Sequence, residues 1–237
     1  MFTQRDDYKN CFLDLERKQI DESRYYQVDD QALYPSVTSV ISFINRAKFA
    51  DWRQRVGNDV ANAKTKHATT RGTSLHLVLE HYIQNKDYKL LPDWEKPLIQ
   101  FMFNAAKWHL DTRVDNIFCQ ETTMFSNRLC LAGTVDLIAE IDGELAVIDF
   151  KTSEKPKPEE WLEDYFVQLS AYWAMFSEAT GVVPKKLVTF SVCENNEVQI
   201  VERRNIMKYL TTLQDYAGQF IQHRDAWSNR TRQGFER

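Results

Sequence analysis

The chain has 237 residues, 43% hydrophobic and 27% charged, with only 7 Gly and 6 Pro. That size and composition exclude a collagenous or largely disordered chain and suit one globular core with an extension. The four cysteines (Cys11, Cys119, Cys130, Cys193) form no C-x-x-C pair, which argues against a disulfide framework or a structural zinc site and points to reduced thiols.

Residues 1–35 are polar and Tyr-rich, with a short helix expected over 8–18 and an extended piece over 24–28. Beyond Pro35, Ser36 or Thr38 can cap a helix whose apolar stripe is Val40, Ile41, Ile44 and Ala47. A second helix is predicted over 73–84 and a third over 93–110, with Pro97 in its first turn, where proline is tolerated. The period then changes, and residues 117–125, 129–141 and 144–150 read as strands. A polar, Pro-containing loop over 153–160 leads into a helix over 158–180 closed by Gly181. Strands over 186–193 and 198–203 and a helix over 205–223 follow, before a polar tail expected to fray. This order predicts an α/β fold with a mixed sheet.

The net charge of −4 conceals a split. Residues 46–71 carry seven basic side chains against two acidic ones, a balance of +5, whereas residues 136–164 carry three against ten, a balance of −7. Either a polyanion track leads to a metal-holding carboxylate cluster, or two oppositely charged faces meet water. Charge alone favours the second. The first ten residues lack the apolar run of a signal peptide and the Arg- and Ser-rich character of a transit peptide. No stretch approaches the ~18 apolar residues of a membrane span. A cytoplasmic protein is expected.

Asp142-Gly143 between two β-rich runs is a strong signal for a two-residue type I′ hairpin turn. With that loop, facing positions sum to 285, so Asp136 faces Asp149 and Thr134 faces Lys151. Directly opposed residues have Cβ atoms about 4.5–5.5 Å apart. Two ionised carboxylates at about 5 Å repel by roughly 3 kcal/mol at an effective dielectric near 20. A divalent cation between them would relieve that repulsion. An exposed hairpin facing water is the other reading. The apolar residues on both of its faces (Leu137, Ala139, Ile148 and Phe150 on one, Leu145 and Val147 on the other) favour the metal.

Gly133-Thr134-Val135-Asp136, twelve further residues, and Asp149-Phe150-Lys151-Thr152 resemble the core motif of the PD-(D/E)XK nuclease superfamily. On the upstream helix, Arg71-Gly72-Thr73-Ser74-Leu75-His76 with Glu80 resembles a motif of its RecB-like branch, as does Gln168-Leu169-Ser170-Ala171-Tyr172 downstream. Tyr34-Pro35-Ser36-Val37-Thr38 and residues 161–181 look most like the mitochondrial genome maintenance exonuclease group and its phage relatives.

The resemblance implies a restriction-endonuclease-like core with a mixed central sheet flanked by helices and an N-terminal helical extension. Residues 1–70 would form the extension and basic helical segment, 71–225 the nuclease core, and 226–237 the tail. His76, Asp136 and Asp149 would hold one or two Mg2+ or Mn2+ ions, with the Phe150 carbonyl as a further ligand. Lys151 would be the catalytic lysine, with Gln168 and Tyr172 positioning the scissile strand. Arg53, Arg55, Arg71 and Thr152 would contact DNA, and Trp52 among the basic residues could stack an unpaired base. Glu80 is either another ligand or a partner orienting His76; Glu121, on the strand before Asp136, either contacts the site or is a solvated strand glutamate, and the second is favoured. Only Cys193 follows Asp149, so no iron–sulfur cluster on four thiolates is expected; with no phosphate-binding G-x-x-x-x-G-K-[ST] loop, no ATP-driven motor is expected either. The implied activity is metal-dependent exonucleolysis of DNA favouring single strands with a free end. The alternatives are a structure-specific endonuclease on the same core and a catalytically silent nucleic-acid-binding module.

Overall fold

The computed structural model describes residues 1–30 and 32–235, with side chains described through Arg224 apart from Lys9. The N-terminal segment forms a three-stranded antiparallel sheet of β1 (Glu16–Ile20), β2 (Ser23–Gln27) and β3 (Leu33–Pro35). This corrects the helix expected over 8–18, where only a 3-10 turn at Lys9–Cys11 is helical. Residues 16–20 have no apolar stripe to pack as a helix. The left-handed turn at Asp21 (φ 51°) instead closes a hairpin that buries Tyr25 and Tyr26.

Helix α1 (Val37–Val56) starts on Ser36, whose side chain accepts from the Ser39 amide at 3.0 Å, as predicted. It stops at Gly57, held at φ 84°, and α2 (Asn58–Ile83) begins at once, well before the expected residue 73. From Asn58 to Thr70 every side chain except Ala61 is exposed, so no apolar stripe advertises that half of the helix. The basic segment therefore lies on two consecutive helices. Two 3-10 turns, Tyr88–Leu90 and Pro92–Glu95, precede α3 (Pro97–Arg113), which opens on Pro97.

The central sheet is mixed. Its order is β4 (Val114–Ser126), β5 (Leu131–Ile141), β6 (Glu144–Ser153), β7 (Lys186–Cys193) and β8 (Val198–Arg203). Only the β6–β7 pair is parallel, with α4 (Glu163–Thr180) making the crossover. Asp142 (φ 53°) and Gly143 (φ 76°) form the predicted two-residue turn, and Gly181 (φ 74°) ends α4 as expected. Helix α5 (Ile206–Phe235) carries helical backbone through most of the tail expected to fray; residues 236 and 237 lie outside the described residues.

Strand alternation divides the core. Leu137, Ala139, Ile148, Phe150, Val188 and Phe190 pack beneath α2 and α3, whereas Ile138, Val147 and Leu187 pack against α1, α4 and α5. The expected mixed sheet flanked by helices is thus present, and both faces of the β5–β6 hairpin are covered. No helix among the described residues is long and apolar enough to cross a membrane.

Candidate active site

The register of the β5–β6 hairpin follows the sequence arithmetic from Ile141↔Glu144 to Leu137↔Ile148, where the ladder ends. One step further, the Phe150 amide donates to Asp136 Oδ2 at 2.9 Å. A side-chain carboxylate has taken the place of a strand carbonyl, so the strands part with Asp136 on one and Asp149 on the other. His76 reaches this open end from α2, its Nδ1 3.7 Å from Asp136 Oδ2 and its ring edge-on to Phe150.

Glu121 approaches from β4. The pairs Gln120↔Leu137 and Thr122↔Val135 flank it, so it lies opposite Asp136. Its φ is 46°, a left-handed conformation that a non-glycine strand residue adopts only under constraint. His76, Glu121 and Asp136 each offer one ligand atom, and these atoms lie within 4.8 Å of one another. Of the two readings of Glu121, the geometry thus favours the one that places it at the site. Crowding by protein atoms pushes its carboxyl up to about 7, and repulsion from Asp136 and Glu80 adds to the effect. The residue is still exposed on its solvent side, and water moderates that shift.

Asp149 differs in being buried, with 1% of its surface exposed. Burial pushes its carboxyl up to about 6; Lys151 opposes the rise and Asp136 adds to it. Lys151 Nζ forms an ion pair with Asp149 Oδ2. Burial works against the Lys151 charge, but the attraction of Asp149 and Asp136 outweighs it and raises the lysine above its usual range. The ammonium also lies 4.9 Å from the centre of the Tyr165 ring.

The Gln168–Tyr172 pair forms the back of the site. Gln168 Nε2 reaches both Asp149 Oδ1 and the Tyr172 hydroxyl at 3.4 Å. Burial raises the Tyr172 hydroxyl, so it keeps its proton. A Cβ at Gly133 would lie 2.8 Å from Tyr172 Cε1 and 3.0 Å from its hydroxyl. The glycine of one motif and the tyrosine of the other are therefore one contact.

The remaining expected residues are dispersed. Arg71 is 6% exposed and ion-paired with Glu194, which also meets His67 at 2.7 Å. In the absence of DNA its guanidinium is thus engaged by Glu194. Arg53 donates to Asn62 Oδ1 at 2.7 Å and ties α1 to α2, while Arg55 is exposed. Thr152 lies beside α2, its hydroxyl 3.6 Å from where a Gly72 Cβ would stand. Glu80 is outside the three-ligand group; its carbonyl accepts from Gln120 Nε2 at 3.2 Å and so ties α2 to β4.

A histidine nitrogen with two converging carboxylates fits a divalent cation. A covered mixed sheet with this constellation at the open end of a hairpin defines a nuclease-type core. Residues 87–236 match the family model of the PD-(D/E)XK nuclease superfamily, and the chain belongs to that superfamily. The matched stretch includes Asp136, Asp149, Lys151, Gln168 and Tyr172 and begins after His76.

Among individual proteins, the chain is similar to mitochondrial genome maintenance exonuclease 1 of Homo sapiens, with 30% identity over 137 residues, or 55% of this chain and 39% of the relative. The Mus musculus protein of the same name is 28% identical over 137 residues (52% and 38%), and that of Xenopus tropicalis 29% over 149 residues (58% and 42%). The chain thus spans about two fifths of the length of the curated relatives it matches.

Proposed function

We propose that this chain is a divalent-metal-dependent DNA nuclease that works as an exonuclease on single strands with a free end. The observation that carries the reading is the convergence of His76, Glu121 and Asp136 beside the buried Asp149–Lys151 pair. Membership of a nuclease superfamily and similarity to proteins named as exonucleases support it.

In this reading His76, Asp136 and Asp149 hold Mg2+ or Mn2+, with the Phe150 carbonyl and Glu121 completing the donor set. When bound, the cation supplies Lewis-acid polarisation of the scissile phosphate and acidifies a water. Lys151, kept protonated by Asp149, presents its ammonium to the attacking water and to the negative charge that develops on the phosphate. Gln168 holds Asp149 in place through Oδ1, and Tyr172 holds Gln168. Arg53, Arg55 and Thr152 contact backbone phosphates without reading bases, so binding falls with salt.

End-labelled linear and circular single-stranded DNA, incubated with Mg2+, Mn2+ or EDTA, test this directly. Loss of linear strands with either metal, intact circles, and no loss in EDTA are expected. Cutting of circles would assign an endonuclease. No metal-dependent cleavage of either substrate would overturn the nuclease reading.

Metal binding should also be linked to protons. Burial pushes Asp149 up to about 6, and Glu121 is also raised above the usual carboxylate range, so in the metal-free protein protons compete with the cation at and below about 6. The Mn2+ affinity measured by calorimetry is expected to rise from about pH 5.5 to about 7.5, by up to about tenfold per unit for each proton released. Both folded-state values lie above the unfolded carboxylate range. The stability these groups contribute to the metal-free fold is therefore complete below that range and lost as pH rises through about 6 to 7. Melting of the metal-free protein should fall over that window, and Mn2+ should restore it. A pH-independent Mn2+ affinity would contradict the assigned ligands.

A further inference from the structure

The proposed function leaves the N-terminal three-stranded sheet without a role, yet one of its residues stands at the site. Arg17 on β1 pairs with Tyr26 on β2, a tyrosine only 1% exposed, and its guanidinium lies 5.7 Å from the centre of that ring. Arg17 Nη2 donates to Thr134 Oγ1 at 2.9 Å, and the Tyr26 and Thr123 hydroxyls meet the same oxygen at 3.3 and 3.4 Å. Thr134 precedes Asp136 by two residues on β5, so the two side chains share one face of the strand, about 6.6 Å apart along it.

We infer that Arg17 forms a phosphate subsite beside the metal group and binds the phosphodiester next to the one being cut. This inference rests on the nuclease reading and adds to it a substrate-contacting residue from outside the matched family region. Among the described residues no carboxylate forms an ion pair with Arg17, and its side-chain hydrogen bond goes to a neutral hydroxyl. An arginine carries several N–H donors in a rigid fork, so most remain for non-bridging phosphate oxygens. The Tyr26 ring and the Thr134 hydroxyl fix the guanidinium in advance, which lowers the entropy lost when a phosphate arrives. A DNA strand held at Asp136 would thus meet a cation one step further along β5. The N-terminal sheet is docked there by the Ser36↔Ala132 bridge and the Ser36 amide bonded to Arg24.

The alternative is that Arg17 only staples the sheet to β5, and salt dependence separates the two. Binding of a fluorescent single-stranded oligonucleotide would be measured in EDTA across a range of salt for the full chain, Arg17→Gln and Arg17→Lys, with melting of each recorded. Arg17→Gln is expected to bind about tenfold more weakly, with a log–log salt slope shallower by about 0.7, the value for one lost phosphate contact on a single strand. Arg17→Lys is expected to keep the slope and lose part of the affinity, because an ammonium cannot form the fork. A wild-type slope and affinity in Arg17→Gln, with or without lower melting, would overturn the inference while leaving the nuclease reading intact. If Arg17→Gln does not fold, loss of slope in folded Arg17→Lys likewise overturns it. A wild-type chain that shows no salt-dependent DNA binding would sink the nuclease reading itself.

Discussion

Replacing Lys151 with alanine is expected to lower metal-dependent DNA cleavage by about two to four orders of magnitude, the range for losing a positioned proton donor or one electrostatic stabiliser of the transition state. The ammonium is the only cationic group in contact with the buried Asp149 carboxylate among the described residues, and Asp149 sits where the two strands part. Without Lys151, that carboxylate has lost its counter-charge. A fully unpaired buried charge costs about 3–5 kcal/mol, an upper bound here because Asp149 can take up a proton. Melting of Lys151→Ala is therefore expected to fall in EDTA and to recover with saturating Mn2+, which supplies positive charge. Its Mn2+ affinity near neutral pH should be retained or increased. Lys151→Arg keeps the charge but replaces a compact ammonium with a larger planar fork that does not present a point charge at the same place, and little activity should return. Wild-type cleavage by Lys151→Ala would remove the lysine from the mechanism, and lost Mn2+ binding would mean that it shapes the site instead.

The parts of this site that were readable before any coordinates are those governed by short-range rules. Asp142-Gly143 dictates a turn, the turn dictates a register, and the register carries Asp136 and Asp149 to the same end of the hairpin. Gln168 and Tyr172 share a helix face because four residues make about one helical turn. Glu121 was not readable in this way. Its place depends on the register between β4 and β5, and β4 shifts register twice, between Asp115 and Ile117 and between Ile117 and Cys119. Its aim further depends on a left-handed backbone that nothing in a glutamate announces. The partner of Arg71 was equally out of reach, because Glu194 lies more than a hundred residues away in the chain. The extended piece expected over 24–28 is β2, but β1 and the exposed half of α2 carry no apolar periodicity from which to read them.

Two glycines at the site are expected to respond to alanine with opposite signs. A Cβ on Gly133 would press into the Tyr172 ring at 2.8 Å, and that ring is 2% exposed with no room to retreat. Gly133→Ala should cost about 1–3 kcal/mol of stability, as overpacking usually does. It should also lower cleavage, because displacing Tyr172 loosens Gln168 and hence Asp149. Gly72 sits inside α2, where its Cβ would meet only the Thr152 hydroxyl at an ordinary 3.6 Å. Gly72→Ala should therefore stabilise the chain by about 0.5–1 kcal/mol through helix propensity. The Tyr172 background separates clash from hydrogen bonding. In Tyr172→Phe the ring atom at 2.8 Å remains while the hydroxyl at 3.0 Å is removed, so most of the stability cost of Gly133→Ala should persist. In Tyr172→Ala, itself costly by about 3–5 kcal/mol, most of the added cost should vanish as a coupling energy in the double-mutant cycle. Denaturant unfolding of the single and double variants measures each corner. Additive costs for Gly133→Ala and Tyr172→Ala would show that the two motifs do not meet at this contact.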